Sequence, residues 1–179
     1  NSFRMPTFNE LYYNNIGNVG LNPEEANQFN YTISFKSSIK KKPLLFVKSS
    51  LYFNRVTDRI VAIPTMNLFV WSMQNIGITN TFGGDVSIKF IKIITPKIEM
   101  IFDVNYSYNK TIDVTDELEP TFGHQVAYIP VHTSNVDISF HYSRIGFRIS
   151  NYLNSSRYSL NENVIQNIVD GFIITDFST

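Results

Sequence analysis

The chain of 179 residues contains no cysteine. Disulfide bonds, thiolate metal sites and cysteine nucleophiles are therefore excluded, whereas the cellular compartment stays open. A net charge is also lacking, because 15 lysine and arginine residues balance 15 aspartate and glutamate residues. Without an overall basic field, we expect no nucleic-acid partner.

Long apolar runs are missing as well. No stretch approaches the roughly 18–20 consecutive apolar residues of a membrane-spanning helix, and no apolar signal-peptide core follows Asn1. The chain starts without methionine and stops within an apolar segment, so we expect a fragment of a longer polypeptide. Charged residues reach only 17%, below the roughly one quarter of a typical domain, whereas aromatic residues reach 15%.

Motifs for covalent chemistry are not found. The chain has neither a Gly-x-Ser-x-Gly elbow nor a glycine-rich phosphate loop. His124, His132 and His141 lack neighbours at a metal-ligand spacing; we expect His132 to be structural near a strand start and His141 to lie on a polar strand face. The sequence therefore predicts no enzyme, no cofactor and no metal site.

Two charged groups have alternative interpretations. The acidic residues of one long link could bind calcium, although they lack an EF-hand pattern and a solvated loop is preferred; they are Asp113, Asp116, Glu117 and Glu119. Lys40, Lys41 and Lys42 could touch lipid phosphates, although a solvated turn is again preferred.

The dominant positive signal is alternation with a period of two, which is typical of β-strands with one apolar and one polar face. In the clearest run, Ile98, Met100 and Phe102 alternate with Glu99 and Asp103. Six runs and one weaker segment predict an all-β, antiparallel fold of about seven to eight strands without a convincing helix. These predicted strands cover residues 28–36, 45–54, 81–90, 98–109, 135–142, 145–150 and about 166–177.

The links between the predicted strands are alternately short and long. Short turns occupy residues 37–43, 95–97 and 143–144, and long links occupy about 61–78, 111–130 and 154–166. Because successive antiparallel strands place successive connections at opposite ends of a sheet, all short turns should share one end and all long links the other.

Two architectures fit this pattern. The first is a soluble β-sandwich, in which the apolar face is buried against a second sheet. The second is part of an up-and-down transmembrane β-barrel, in which the apolar face contacts lipid and the polar face lines the lumen. Strand lengths near the 9–11 residues that cross a bilayer favour the barrel. So do aromatic residues at strand ends, namely Tyr31, Phe35, Tyr106, Tyr108, Tyr142 and Tyr152.

Several segments, in order, resemble the C-terminal part of the barrel of TonB-dependent outer-membrane receptors. The stretch "FRMPTFNELYY", followed by Gly17-Asn18 and Leu21-Asn22-Pro23-Glu24, resembles the end of an ascending strand, an outer loop and the next descent. "YFNRVTDRIVAIP", "WSMQNIGITNTFGGDVSI" and "VAYIPVHTSNVDISFHY" resemble later strands. We expect residues 1–179 to be a barrel fragment, without the family's plug domain and closing strands.

The resemblance implies a location in the bacterial outer membrane and the import of a scarce nutrient with TonB-coupled energy. The nutrient would be an iron chelate, haem, cobalamin or a glycan. Implied partners are outer-membrane lipid, the nutrient, and the TonB complex through the missing plug. Two alternatives stay open: a soluble β-sandwich adhesion or carbohydrate-binding module, and a passive or enzymatic outer-membrane barrel.

Candidate ligand contacts are polar and aromatic residues of the long loops, where rings can stack on a planar ligand or a sugar. They are Tyr12, Tyr13, Asn14, Phe69, Trp71 and His124. Packing within the loops is the alternative role for each of them. Phe3, Arg4, Pro6 and Thr7 are interpreted as structural residues that direct the first loop away from its strand.

Overall fold

The computed structural model describes residues 1–37, 44–64, 70–75 and 77–179, but not the side chain of Pro64. Eight strands form one antiparallel sheet. In their order across the sheet, they are β1 (Ser2–Arg4), β2 (Glu24–Ser37), β3 (Leu44–Thr57), β6 (Ile78–Thr95), β7 (Ile98–Asp113), β8 (His132–Tyr142), β9 (Ile145–Asn154) and β12 (Phe172–Ser178). The all-β, antiparallel prediction is confirmed.

The remaining elements lie in the connections between these strands. Two small hairpins, β4–β5 (Ile60–Pro64 and Trp71–Asn75) and β10–β11 (Arg157–Tyr158 and Ile168–Val169), pair outside the main sheet. Short helical turns are α1 (Phe8–Tyr12) and the 3₁₀ turn Ile165–Asn167. No helix in the described part of the chain is long and apolar enough to cross a membrane.

The connections alternate in length as predicted. Short ones join β2 to β3, β6 to β7 and β8 to β9 at one end of the sheet. Four long connections lie at the other end, because every neighbouring pair of strands is antiparallel. The first, second, third and fourth long connections are residues 5–23, 58–77, 114–131 and 155–171.

One face of the sheet is apolar and uncovered. On β2, Phe29, Tyr31, Ile33 and Phe35 are 57–65% exposed. On β7, the row begun by Met100 and Phe102 is about two fifths exposed and stands in register with Ile138 and Phe140 of β8. No second sheet covers this face within the described residues, so a sandwich does not form, and lipid is the environment that suits the face.

The opposite face is polar and internally hydrogen-bonded. Asp137 accepts hydrogen bonds from Arg148 and Ser150, which stand beside it on β9. Lys89 of β6 pairs with Asp103 of β7 at 3.4 Å. Three clefts lie against this face. His141 also belongs to this face, since it stands in register with Gly146 and Glu99.

Several local predictions need correction. Strand β2 begins at Glu24, four residues before the predicted run, because β1 offers this segment a pairing partner. A helix does form at Phe8–Tyr12, which the sequence interpretation missed. Tyr152 stands in register with Asn135 and therefore lies on the polar face, not in an outward aromatic band. The last long strand begins at Phe172 rather than near residue 166.

Candidate functional site

The long connections form a layer over one end of the sheet, and Arg4 fixes the first of them. Nε and Nη2 of Arg4 each donate to a carboxylate oxygen of Glu24 at 2.8 Å, and Nη1 donates to Glu10 at 3.0 Å. Glu24 also accepts the backbone N–H of Ile60 at 2.7 Å. Arg4 therefore links the beginning of the first connection to Glu24 at the start of β2. Glu24 in turn binds the second connection at Ile60.

A capping box organises the helix that follows. The Thr7 hydroxyl accepts the backbone N–H of Glu10, and the Glu10 carboxylate accepts the N–H of Thr7 at 2.6 Å. Burial alone would raise the pKa of Glu10. The hydrogen bond from Thr7 and the adjacent Arg4 guanidinium outweigh burial, so the pKa of Glu10 lies below its ordinary value. Thr7 and Glu10 thus both hold α1 in place.

Asparagine side chains join the first connection to the second. Asn18 Nδ2 donates to the carbonyl of Met73 at 3.1 Å, while the Met73 N–H donates to the carbonyl of Ile16 at 2.9 Å. Asn75 accepts the N–H of Asn22 at 2.9 Å and returns a hydrogen bond to its carbonyl at 3.1 Å. The β4–β5 hairpin is therefore docked on the first connection by two asparagine side chains and one backbone–backbone hydrogen bond.

Two more asparagines join the third connection to the fourth. Asn163 accepts the Gln125 N–H at 2.6 Å and donates to the Gln125 carbonyl at 2.8 Å. Asn161 accepts the Ala127 N–H at 2.8 Å, and its own carbonyl lies 3.1 Å from Nδ1 of His124. Neighbouring connections are thus linked pairwise, which limits their freedom before any ligand arrives.

Between the loop-end halves of β2, β3, β6 and β7, a cleft of about 610 Å³ opens on the polar face. Glu24 and Arg59 lie at its loop end, and Tyr52, Asp85 and Asn109 extend it down the sheet. The Arg59 guanidinium has its pKa lowered by burial, against the attraction of Glu24. Amide, phenol and charged groups in one cleft provide hydrogen-bonding donors and acceptors for a polar ligand or protein segment.

The predicted ligand-contact residues are spread over this layer. Tyr12 and Tyr13 are both 59% exposed in the first connection, with the Tyr12 ring centroid 5.0 Å from that of Phe8, and Asn14 is exposed beside them. Trp71 opens β5 and is half-buried. Phe69 lies outside the described residues, as does the lysine-rich turn at residues 38–43.

His124 stands apart from that group. It lines a separate cleft between the third and fourth connections, to which Tyr12, Tyr13, Asn14 and Trp71 do not contribute. The four residues share one end of the sheet with His124 but not one cleft. For the acidic group around Asp113, no cluster of three metal-ligating side chains occurs in the part of the chain that the structure describes.

Sequence reasoning did not select the polar cleft. Alternation had already placed Tyr52, Asn54 and Asn109 on the polar face, so the period-two pattern contained that signal. No such signal in the sequence identified Arg59. It follows Asp58, whose backbone has a φ of 54° and interrupts the alternation between β3 and β4. Its position depends on the hairpin that follows.

Comparison with known proteins agrees with this architecture. The family model described as TonB dependent receptor-like, beta-barrel, matches residues 1–179. The chain belongs to the TonB-dependent receptor-like β-barrel family. No match was found among the curated proteins searched.

Two solved structures illustrate the fold. A copper transporter, OprC, is 13% identical with a TM-score of 0.71, over 98% of this chain and 26% of that one. The ferric yersiniabactin uptake receptor FyuA from Yersinia pestis is 15% identical with a TM-score of 0.58, over 87% of this chain and 22% of that one. The chain thus spans about a quarter of the length of these structures, and the likeness concerns fold alone.

Proposed function

We propose that this chain forms barrel wall and outer loops of a bacterial outer-membrane receptor that binds a scarce nutrient and imports it with TonB-coupled energy. The observation that carries the proposal is a single sheet with an uncovered apolar face, a polar face with clefts, and four long connections at one end. Such a sheet suits lipid on one side and an aqueous lumen on the other.

The proposed ligand is an iron chelate, haem, cobalamin, a glycan or copper. The two similar solved structures, a copper transporter and a ferric yersiniabactin uptake receptor, support a metal or metal chelate first. The barrel carries out no covalent chemistry in this proposal. Energy coupling would act through a plug domain, which we expect elsewhere in the polypeptide.

Ligand contact is assigned to the long connections. Tyr12, Tyr13 and Asn14 are exposed in the first connection, and Trp71 lies in the hairpin docked on it. Phe69 and His124 complete the proposed contacts. Arg59 and Tyr52, in the cleft below, would then receive the ligand or contact the plug.

The test uses the full-length protein in bacteria with and without TonB. We expect the protein in the outer-membrane fraction and TonB-dependent uptake of one compound from a panel of copper, ferric chelates, haem, cobalamin and glycans. Recovery as a soluble monomer without detergent would overturn the membrane assignment. Uptake that is unchanged by loss of TonB would overturn the energy coupling.

Variants then locate the binding surface. Tyr13→Ala and Trp71→Ala should weaken binding by about fivefold each, since stacking on an aromatic ring contributes on the order of 1 kcal/mol. Tyr142→Ala is the matched control, because Tyr142 is similarly exposed, at 52%, but lies at the opposite end of the sheet. Equal losses in all three variants would contradict loop-end binding.

A further inference from the structure

A second cleft, of about 430 Å³, lies between the third and fourth long connections and opens toward the apolar face of the sheet. Lys110 contributes from β7, on the same row as Tyr106 and Tyr108. His132 contributes from the start of β8; its Nδ1 lies 2.8 Å from the Tyr106 hydroxyl. The cleft therefore begins where the outward aromatic row ends, at the height expected for a membrane interface.

The lining of this cleft is basic. Lys110 and Arg157 each bring a positive charge, and no aspartate or glutamate lines the cleft. Within the described residues, neither cation belongs to an ion pair: the pairs found there involve Arg4, Lys89 and Arg148. Two unpaired cations in one cleft favour an anion, and an arginine favours phosphate or carboxylate in particular.

Two buried atoms in this lining are left without hydrogen-bond partners among the described residues. Oε1 of Gln125 is an acceptor on a side chain that is 7% exposed, and Nη1 of Arg157 is a buried donor. Buried polar groups are rarely left unpaired, so both atoms have hydrogen-bonding capacity that a ligand in the cleft can use. A ligand that accepts a hydrogen bond from arginine and donates one to an amide oxygen would satisfy both atoms.

We propose that this cleft binds the phosphorylated sugar headgroup of an outer-leaflet membrane lipid. Phosphate oxygens would contact Arg157 and Lys110, and a sugar hydroxyl would donate to Gln125 Oε1. Ile168, which also lines the cleft, offers apolar surface beside the polar groups. The orientation, with long connections on the outer side, rests on the proposed function.

The experiment measures binding of lipid A, the phosphorylated diglucosamine lipid, to the full-length protein in detergent by native mass spectrometry. The Lys110→Gln/Arg157→Gln double variant should bind at least about tenfold more weakly than the wild type. Lys92→Gln/Lys97→Gln is the matched control, since it removes two exposed charges at the short-turn end. Dephosphorylated lipid A should bind the wild type as weakly as lipid A binds the double variant.

Unchanged lipid A affinity in the double variant would overturn the proposal. So would inorganic phosphate that binds as tightly as lipid A, since the cleft would then serve a soluble anion. If the double variant does not fold, Lys110→Glu is the substitute, because Lys110 is exposed and its replacement should not disturb folding. The proposed function is tested separately and first. It fails if the wild-type protein is absent from the outer-membrane fraction or if its uptake does not depend on TonB, and neither result involves lipid A binding.

Discussion

The ring of Tyr52 lies directly over Gly83, its register partner on the neighbouring strand, and a Cβ atom at position 83 would overlap the ring. Both residues belong to the polar face, where Tyr52 lines the cleft beneath the loops. A glycine here lets the aromatic ring lie flat along the sheet instead of standing into the lumen. The shape of the cleft thus depends on the absence of a Cβ atom at Gly83.

Gly83→Ala should therefore destabilise the sheet by about 1–3 kcal/mol, the usual cost of forcing atoms into a packed site. The measurement is urea unfolding of the full-length protein in detergent. Tyr52→Ala removes the obstacle, so Gly83→Ala should be nearly neutral in that background. Equal costs of Gly83→Ala in the two backgrounds would show that the ring is not the cause.

Arg4→Ala should release the first connection. It removes both ion pairs that tie Arg4 to Glu10 and Glu24, and because Arg4 is partly exposed the loss should be about 1 kcal/mol or less. Hydrogen exchange should rise across residues 5–23 with little change in the sheet. Arg144→Ala is the control, because it removes an exposed arginine from the short turn between β8 and β9, at the other end of the sheet. If hydrogen exchange across residues 5–23 rose equally in Arg144→Ala, the effect of Arg4 would not be local.

The helix α1 should loosen in acid. Because the folded-state pKa of Glu10 lies below its ordinary value of 4.5, its ionised form stabilises the fold above that pH. The stabilisation is lost as the pH falls through the folded-state value. Hydrogen exchange in α1, corrected for its intrinsic pH dependence, should thus rise below about pH 4.5 in the wild type. Glu10→Gln should exchange faster at neutral pH and show no such step; a step that persists in this variant would assign it to another group.

Much of the sheet was predictable because apolar and polar residues alternate along a strand that has one face toward lipid and one toward water. Six of the seven predicted segments lie inside β2, β3, β6, β7, β8 and β9, and the alternating lengths of the connections predicted the two ends of the sheet. The strands extend further toward the loops than predicted. Beyond the apolar band, apolar and polar side chains no longer need to alternate. The alternation in the sequence therefore ends before the backbone hydrogen bonds between the strands end.

The connections were less predictable, since their structure depends on contacts distant in sequence. The Thr7 and Glu10 spacing matches a capping box, but five residues are too few to reveal a helix by periodicity. Asn75 bonds to Asn22, 53 residues earlier, and nothing near either residue indicates that partner. Lys110 stands out only once the register places it beyond the tyrosines on the outward row.

Asn163 provides the sharpest test of the layer of connections, because it both accepts from and donates to the backbone of Gln125. Its backbone has a φ of 53°, which asparagine adopts more readily than alanine. Asn15→Ala is therefore the matched control: Asn15 has a φ of 64°, is exposed, and makes no side-chain hydrogen bond with the described residues.

Asn163→Ala should lower the local opening free energy at the Gln125 amide by about 1–3 kcal/mol more than Asn15→Ala lowers it at its own connection. The reason is that three side-chain hydrogen bonds, two of them to Gln125, are lost in addition to the backbone cost. Asn163→Asp retains the acceptor and should recover part of the loss. Hydrogen exchange of the Gln125 amide is the readout. Equal effects of the two alanine substitutions would mean that other contacts hold the third and fourth connections together. The shape of the lipid cleft between these connections would then not depend on the hydrogen bonds between Asn163 and Gln125.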